Sequence, residues 1–216
     1  MSQVHQFILY ILDLNIHLGN LVTSTGHWIY VILFFIIFAE TGLIIFPFLP
    51  GDALLFSAGS LTAITTLNLP LLMLLLFIAA ILGNTVNYQV GYFIGPRIFH
   101  FPRSRFFNPD HLHKAHQFYV QYGGRALVIA RFLPILRTFA PFIAGIAKMP
   151  YHRFQFFNIA GSALWIGLLL SLGRFVGNTP FVQKNFSLIL LLIIIISLLP
   201  ALIQYLKDKL KSKKTS

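Results

Sequence analysis

The chain of 216 residues contains no cysteine, which excludes disulfides, thiol catalysis and thiolate metal ligation. Acid is scarce as well: Asp and Glu total 5 against 16 Lys and Arg, giving a net charge of +11. Charged residues of every kind reach only 10%, where a soluble domain carries about 25%. No Lys or Arg occurs before Arg97. The amino-terminal stretch therefore lacks the basic start, and also the small-residue cleavage pattern, of a removable signal peptide. No P-loop or zinc motif is present.

What fills the chain instead is apolar: 57% of residues are hydrophobic, 23 are Phe, and the mean hydropathy is +0.79. That composition predicts an all-α polytopic membrane protein, and the length suits one membrane domain. The positive charge does not indicate a nucleic-acid partner, because it is spread as the positive-inside rule spreads it. Arg97, Arg103, Arg105 and Lys114 mark one segment, Lys148 and Arg153 another, and five lysines from Lys207 to Lys214 form the tail. These segments are expected on the cytoplasmic side, so the carboxyl terminus is cytoplasmic. The 65–69 turn and the 174–184 loop, with only Arg174 and Lys184, are expected on the opposite side.

Residues 4–22 alternate apolar and polar at helical spacing, with Asp13 and His17 on the polar side. An interfacial helix within an amino-terminal segment 1–27 follows, a short extra span being the alternative. Residues 28–64 are interrupted by Pro47, Pro50 and Gly51, and the piece after the break is too short to span, so a re-entrant helical hairpin is predicted. Residues 69–95 are long enough for a full span and carry Asn84, Asn87 and Gly91 on one face. That face suits close helix packing or the lining of a polar cavity. Asn108-Pro109 starts an amphipathic helix over 109–122 at the cytoplasmic surface. Its His111, His113 and His116 do not share one face, so they are read as solvated rather than as a metal site.

The segment 124–147 repeats the hairpin pattern, with breaks expected at Pro134 and Pro141 and basic residues at both ends. Residues 152–173 and 185–205 are expected to span, and 206–216 form a basic tail. The membrane domain thus covers 28–205 and holds two oppositely oriented re-entrant hairpins, about three full spans and amphipathic interfacial helices. Short, broken apolar segments at corresponding places in two halves are the mark of an inverted-repeat transporter, whose site lies where the breaks meet.

The residues that carry chemistry follow from cost. A carboxylate at the bilayer centre costs about 2.5–3.5 kcal/mol on insertion scales, so one found there is functional by default. Glu40 in FAETG and Asp52 in PGDAL are two such residues; Arg131 and Arg137 frame Pro134 in RFLPILR. An arginine fork suits phosphate and stays charged, while a carboxylate in low dielectric can exchange protons. One reading is an anion site lined by Arg131 and Arg137 and coupled to Glu40 and Asp52; the other is a set of buried ion pairs that hold the hairpins together. Catalysis is not expected. The histidines lie away from the breaks, and Ser57, Ser60 and Thr138 have no evident base.

The runs FAETGLIIFPFLPGDALLFSAG and GGRALVIARFLPILRTFAPFIAG, with GNTVNY and the F-x3-N-x2-G-x3-W run from Phe154 to Trp165, resemble the paired signature of the DedA membrane proteins. The resemblance covers nearly the whole chain, which looks close to the family's namesake. It implies a bacterial inner-membrane protein with two opposed re-entrant hairpins and a link to envelope integrity. Its substrate would be undecaprenyl phosphate, recycled across the membrane with the proton motive force. The family's required acids match Glu40 and Asp52, and its required arginines match Arg131 and Arg137. One departure is Asn84, where relatives can carry Asp. No cofactor is implied. The expected partners are a polyprenyl phosphate, the bilayer and a coupling ion, H⁺ or Na⁺; small-residue faces permit a homo-oligomer. The alternative functions are a proton-coupled exporter of small molecules or cations, and a nonselective scramblase.

Overall fold

The computed structural model describes residues 24–43, 51–98, 124–132, 134–177 and 179–185, with 189 and 192. The expected interfacial helix 4–22, the cytoplasmic helix 109–122 with its histidines, nearly all of the 185–205 span, the basic tail, and Pro47 and Pro50 lie outside these residues. Helices and turns account for the described residues, with no strand among them. They are α1 (Trp28–Gly42), α2 (Gly51–Ile64), α3 (Leu69–Ile98), α4 (Arg125–Ala130), α5 (Pro134–Ile146), α6 (Tyr151–Val176) and α7 (Pro180–Lys184).

Among the described residues, two helices are long and apolar enough to cross a bilayer, Leu69–Ile94 with mean hydropathy 2.3 and Tyr151–Val176 with 1.7. At 1.5 Å rise per residue, a 26-residue helix reaches about 39 Å, beyond the roughly 30 Å of hydrocarbon. Helices α1 and α2, of 15 and 14 residues, reach only about 21–23 Å. The distribution of side chains supports a membrane setting. Leu71, Leu74, Ile78, Leu82, Val86 and Phe93 form an exposed apolar stripe along α3, while Glu40, Asn84, Asn87, Arg131, Arg137 and Asn158 are buried. A soluble protein does the reverse.

The chain divides into two compact units. The first contains α2, the opening turn of α3, the end of α6 from Leu168, and α7. Here α2 meets α6 backbone to backbone. A Cβ added at Gly59 would lie 2.3 Å from the Leu170 carbonyl oxygen, and one at Gly173 would lie 2.1 Å from that of Phe56. Gly173 of α6 and Gly177, just past its end, have the small-x3-small spacing that lets helices approach closely in lipid.

The second unit contains α1 from Tyr30, α3 from Met73, α4, α5, and α6 as far as Gly167. Its helices also touch through glycines. Gly83 lies against Phe38, Thr41 and Gly42 of α1, Gly91 against Phe142 of α5, and Gly145 of α5 against the Tyr88 carbonyl. Tyr88, Leu127, Ala144, Met149 and Phe154 form a buried cluster. In it the Tyr88 ring stacks on Phe154 at 4.3 Å, and its hydroxyl donates to the Met149 carbonyl at 2.5 Å.

Residues 124–146 hold one break where two were expected. Helix α4 ends at Ala130 and α5 begins at Pro134, where a proline is tolerated because the first N–H of a helix has no partner in any case. Pro141, expected to break the segment again, lies inside α5. A mid-helix proline removes one backbone hydrogen bond and crowds the preceding turn; in apolar surroundings a neighbouring helix can supply the missing donor. Asn87 of α3 ties into this turn, its Nδ2 donating to the Thr138 carbonyl at 2.7 Å, one residue past the Arg137 carbonyl that the N–H missing from Pro141 would have met.

Candidate functional site

The second unit gathers the buried charge. Glu40, in the last turn of α1, is fully buried and forms an ion pair with Arg137 of α5. Arg137 also lies over the Trp165 ring of α6, its Cζ 4.8 Å from the centroid, within the range of a cation–π contact. Arg131 comes from the turn between α4 and α5 and is 4% exposed. Its Nη2 donates to Asn158 Oδ1 at 2.6 Å and to the Asn158 carbonyl at 3.2 Å. Arg137 is a charged neighbour that Arg131 feels.

Helix α6 organises this cluster. Asn158, Gly161 and Trp165 recur at the spacing of one helical face. Asn158 holds Arg131, Trp165 lies under Arg137, and a Cβ at Gly161 would lie 2.8 Å from Arg131 Nε. Gly161 therefore leaves the room that the arginine occupies. Ser162, on the same face, is fully buried. Asn158 also accepts from Asn84 Nδ2 at 2.9 Å and donates to Gln155 Oε1 at 3.1 Å and to the Ile81 carbonyl at 3.2 Å. Replacing Asn158 with Ala leaves Arg131, Asn84 and Gln155 each short of a partner. Asn158→Ala is expected to lower stability by about 1–3 kcal/mol, measured by thermal unfolding in detergent, with Gln155→Ala the milder control.

Three of the four charged residues singled out from the sequence, Glu40, Arg131 and Arg137, are thus core residues of this unit. Asp52 belongs to the other unit, half-buried in the first turn of α2, where a carboxylate meets the positive end of the helix dipole. Gly51 opens the same helix and is buried. Asn87 donates to the carbonyls of Thr41 and Thr138 and Asn84 to Asn158, so both amides tie helices together. Their Oδ1 atoms are buried with no hydrogen-bond partner among the described residues. The residues that sequence reasoning did not assign to the site are Asn158, Gly161, Ser162 and Trp165. Their signal was present as a polar and small face on an otherwise apolar span.

The arrangement is chemically unbalanced. Two guanidinium groups are buried with one carboxylate, and Arg131 Nη1 has no hydrogen-bond partner among the described residues. A buried cation surplus with an unused planar donor is suited to an oxyanion. Among the described residues no group of His, Asp and Glu could hold a metal ion.

Comparison with known proteins gives a consistent picture. The family model described as VTT domain matches residues 49–175, a stretch that includes Asp52, Arg131 and Arg137. Protein DedA of Escherichia coli strain K12 is 44% identical over 211 residues, covering 97% of this chain and 96% of that protein. An uncharacterized membrane protein of Mycobacterium leprae is 44% identical over 168 residues, 78% of this chain and 75% of its own length. Inner membrane protein YqjA of Escherichia coli K12 is 40% identical over 158 residues, 72% of this chain and 71% of its own. No solved structure matches the chain.

Proposed function

Since this chain belongs to the DedA family of VTT-domain membrane proteins, we propose that it is an inner-membrane transporter that carries a polyprenyl phosphate, undecaprenyl phosphate, between leaflets. The observation that carries the proposal is the buried Arg131, held through one nitrogen by Asn158 while Nη1 remains available to an anion. Arg137 supplies a second guanidinium, and Trp165 and Glu40 fix its position. The phosphate sits between the arginines and the prenyl chain stays in lipid.

Transport draws on the proton motive force. Protonation of Glu40 removes the charge that Arg137 pairs with and frees the guanidinium for phosphate; loss of the proton restores the pair and releases the anion. Asp52 is the second coupling carboxylate. In this reading the short α1 and α2 form one re-entrant hairpin, α4 and α5 form the opposed one, and the carboxyl terminus is cytoplasmic.

The test is lipid movement in proteoliposomes containing labelled undecaprenyl phosphate, with phosphatidylcholine as the control lipid, with and without a pH gradient. The expected result is movement of the polyprenyl phosphate alone, abolished by Arg131→Ala and made insensitive to the gradient by Glu40→Gln. Equal movement of phosphatidylcholine without a gradient indicates a scramblase. Failure of folded protein to move either lipid overturns the proposal.

A further inference from the structure

The first unit has a polar cavity of its own. It measures about 410 Å³ and is lined by Thr62, Thr65, Thr66, Asn68 and Arg174, with Leu67, Leu69 and Pro70 completing the wall. That volume falls within the range of about 300–1,000 Å³ typical of small-ligand sites. No acidic residue lines it among the described residues. Arg174, half-buried near the end of α6, binds the Thr62 carbonyl at 2.7 Å and the Thr62 hydroxyl at 3.1 Å. Both bonds use Nη1, which leaves the Nη2 and Nε donors of the fork for another acceptor.

The hydroxyls divide into two kinds. Thr62 and Thr65 donate back into their own helix, to the carbonyls of Gly59 and Leu61 at 2.6 Å each. Asn68 Oδ1 accepts from Leu71 N at 3.0 Å at the start of α3. Thr66 is exposed, and its hydroxyl has no hydrogen bond among the described residues. The donors at the cavity thus include one arginine fork and one hydroxyl, with no opposing carboxylate among the described residues. The surroundings are those of a bilayer surface. Phe175, adjacent to Arg174, and Phe181 of α7 are each 74% exposed, as interfacial aromatic residues are. The two segments that form the cavity, 62–70 and the one around Arg174, are also those whose lack of basic clusters placed them together on the non-cytoplasmic side.

We propose that the cavity bounded by Arg174 and Thr66 is an oxyanion site that takes a phosphate or phosphate monoester at the membrane surface. The inference does not depend on the transport reading of the other unit, since no residue is shared between them. The ligand chemistry is the same for a lipid headgroup and for free phosphate.

The experiment uses the full chain in nanodiscs. Binding of inorganic phosphate and of farnesyl phosphate is measured separately by calorimetry on the wild type, Arg174→Gln and Thr66→Glu. The expected result is one binding equivalent lost, or weakened at least tenfold, in both variants. Thr66 is exposed, so its replacement leaves folding intact even where Arg174→Gln loosens the end of α2; it places a negative charge against the anion. At least tenfold tighter binding of farnesyl phosphate supports a lipid headgroup as ligand, and equal affinities support free phosphate. Titrations of both variants that superimpose on the wild type overturn the site. So does an Arg174→Gln protein of lower melting temperature that keeps its full phosphate-induced rise, because Arg174 then only caps α2. Loss of transport in Arg131→Ala with this binding equivalent retained separates the two sites.

Discussion

Arg137→Ala is expected to lower the stability of the folded protein by about 3–5 kcal/mol, the usual cost of leaving one member of a buried ion pair behind. Glu40 is fully buried, and with Arg137 truncated its carboxylate loses the ion pair that now balances it. The Trp165 ring loses its cation at the same time. Glu40→Gln is expected to cost less, since an amide still accepts from Arg137. The double variant Glu40→Gln with Arg137→Met removes both charges, and it is expected to regain most of the stability lost in Arg137→Ala without regaining transport. Steric trapping or thermal unfolding in detergent, with lipid transport measured on the same preparations, gives the cycle. Single and double variants of equal stability would mean that the pair contributes nothing to the fold.

Gly145→Leu is expected to prevent assembly of the second unit. A Cβ at this position lies 2.1 Å from the Tyr88 carbonyl oxygen and 2.7 Å from the Tyr92 nitrogen, both backbone atoms of α3 that no rotamer change can move aside. Overpacking of ordinary cores costs about 1–3 kcal/mol; here two helix backbones must separate, taking with them the Gly91–Phe142 approach and the Tyr88–Met149 hydrogen bond. The loss is expected as absence of monodisperse protein after extraction, with Gly145→Ala the partial case. Gly167→Ala provides the contrast. Nothing lies within 4 Å of a Cβ there, so it is expected to be neutral or to stabilise by about 0.4–1 kcal/mol. Extraction of Gly145→Leu at wild-type yield and melting temperature would contradict the close approach.

Hydropathy and proline placement were enough to locate the long helices and the start of α2. Leu69–Ile98 and Tyr151–Val176 lie within a few residues of the expected spans, and α2 begins at Gly51. The two buried arginines and Glu40 were legible because charge in a greasy run has few explanations. Their pairing was not. Nothing in the sequence says that Glu40 meets Arg137 while Arg131 is met by an amide 27 positions away. Asn158 is a neutral residue in an apolar span, and only its helical register with Gly161 and Trp165 sets it apart. Pro141 misled for a related reason. A proline reports what its own backbone lacks, not that Asn87, 51 residues from Thr138 in sequence, donates into the turn before it.

The glycine contacts of the second unit have a mechanical consequence. Where Gly83 meets Gly42 of α1, beside the Thr41 hydroxyl, and where Gly91 and Gly145 join α3 to α5, main chain rests on main chain. Side chains are the compliant part of a packed interior, able to change rotamer and let helices slide; peptide planes in contact are not. Helices α1, α3 and α5 therefore carry load as one stiff part, like members welded at their crossings. The Arg131–Phe132 turn, where α4 has ended and α5 has not begun, stands apart from these contacts, so flexing within the unit is expected there, at the backbone of a buried arginine.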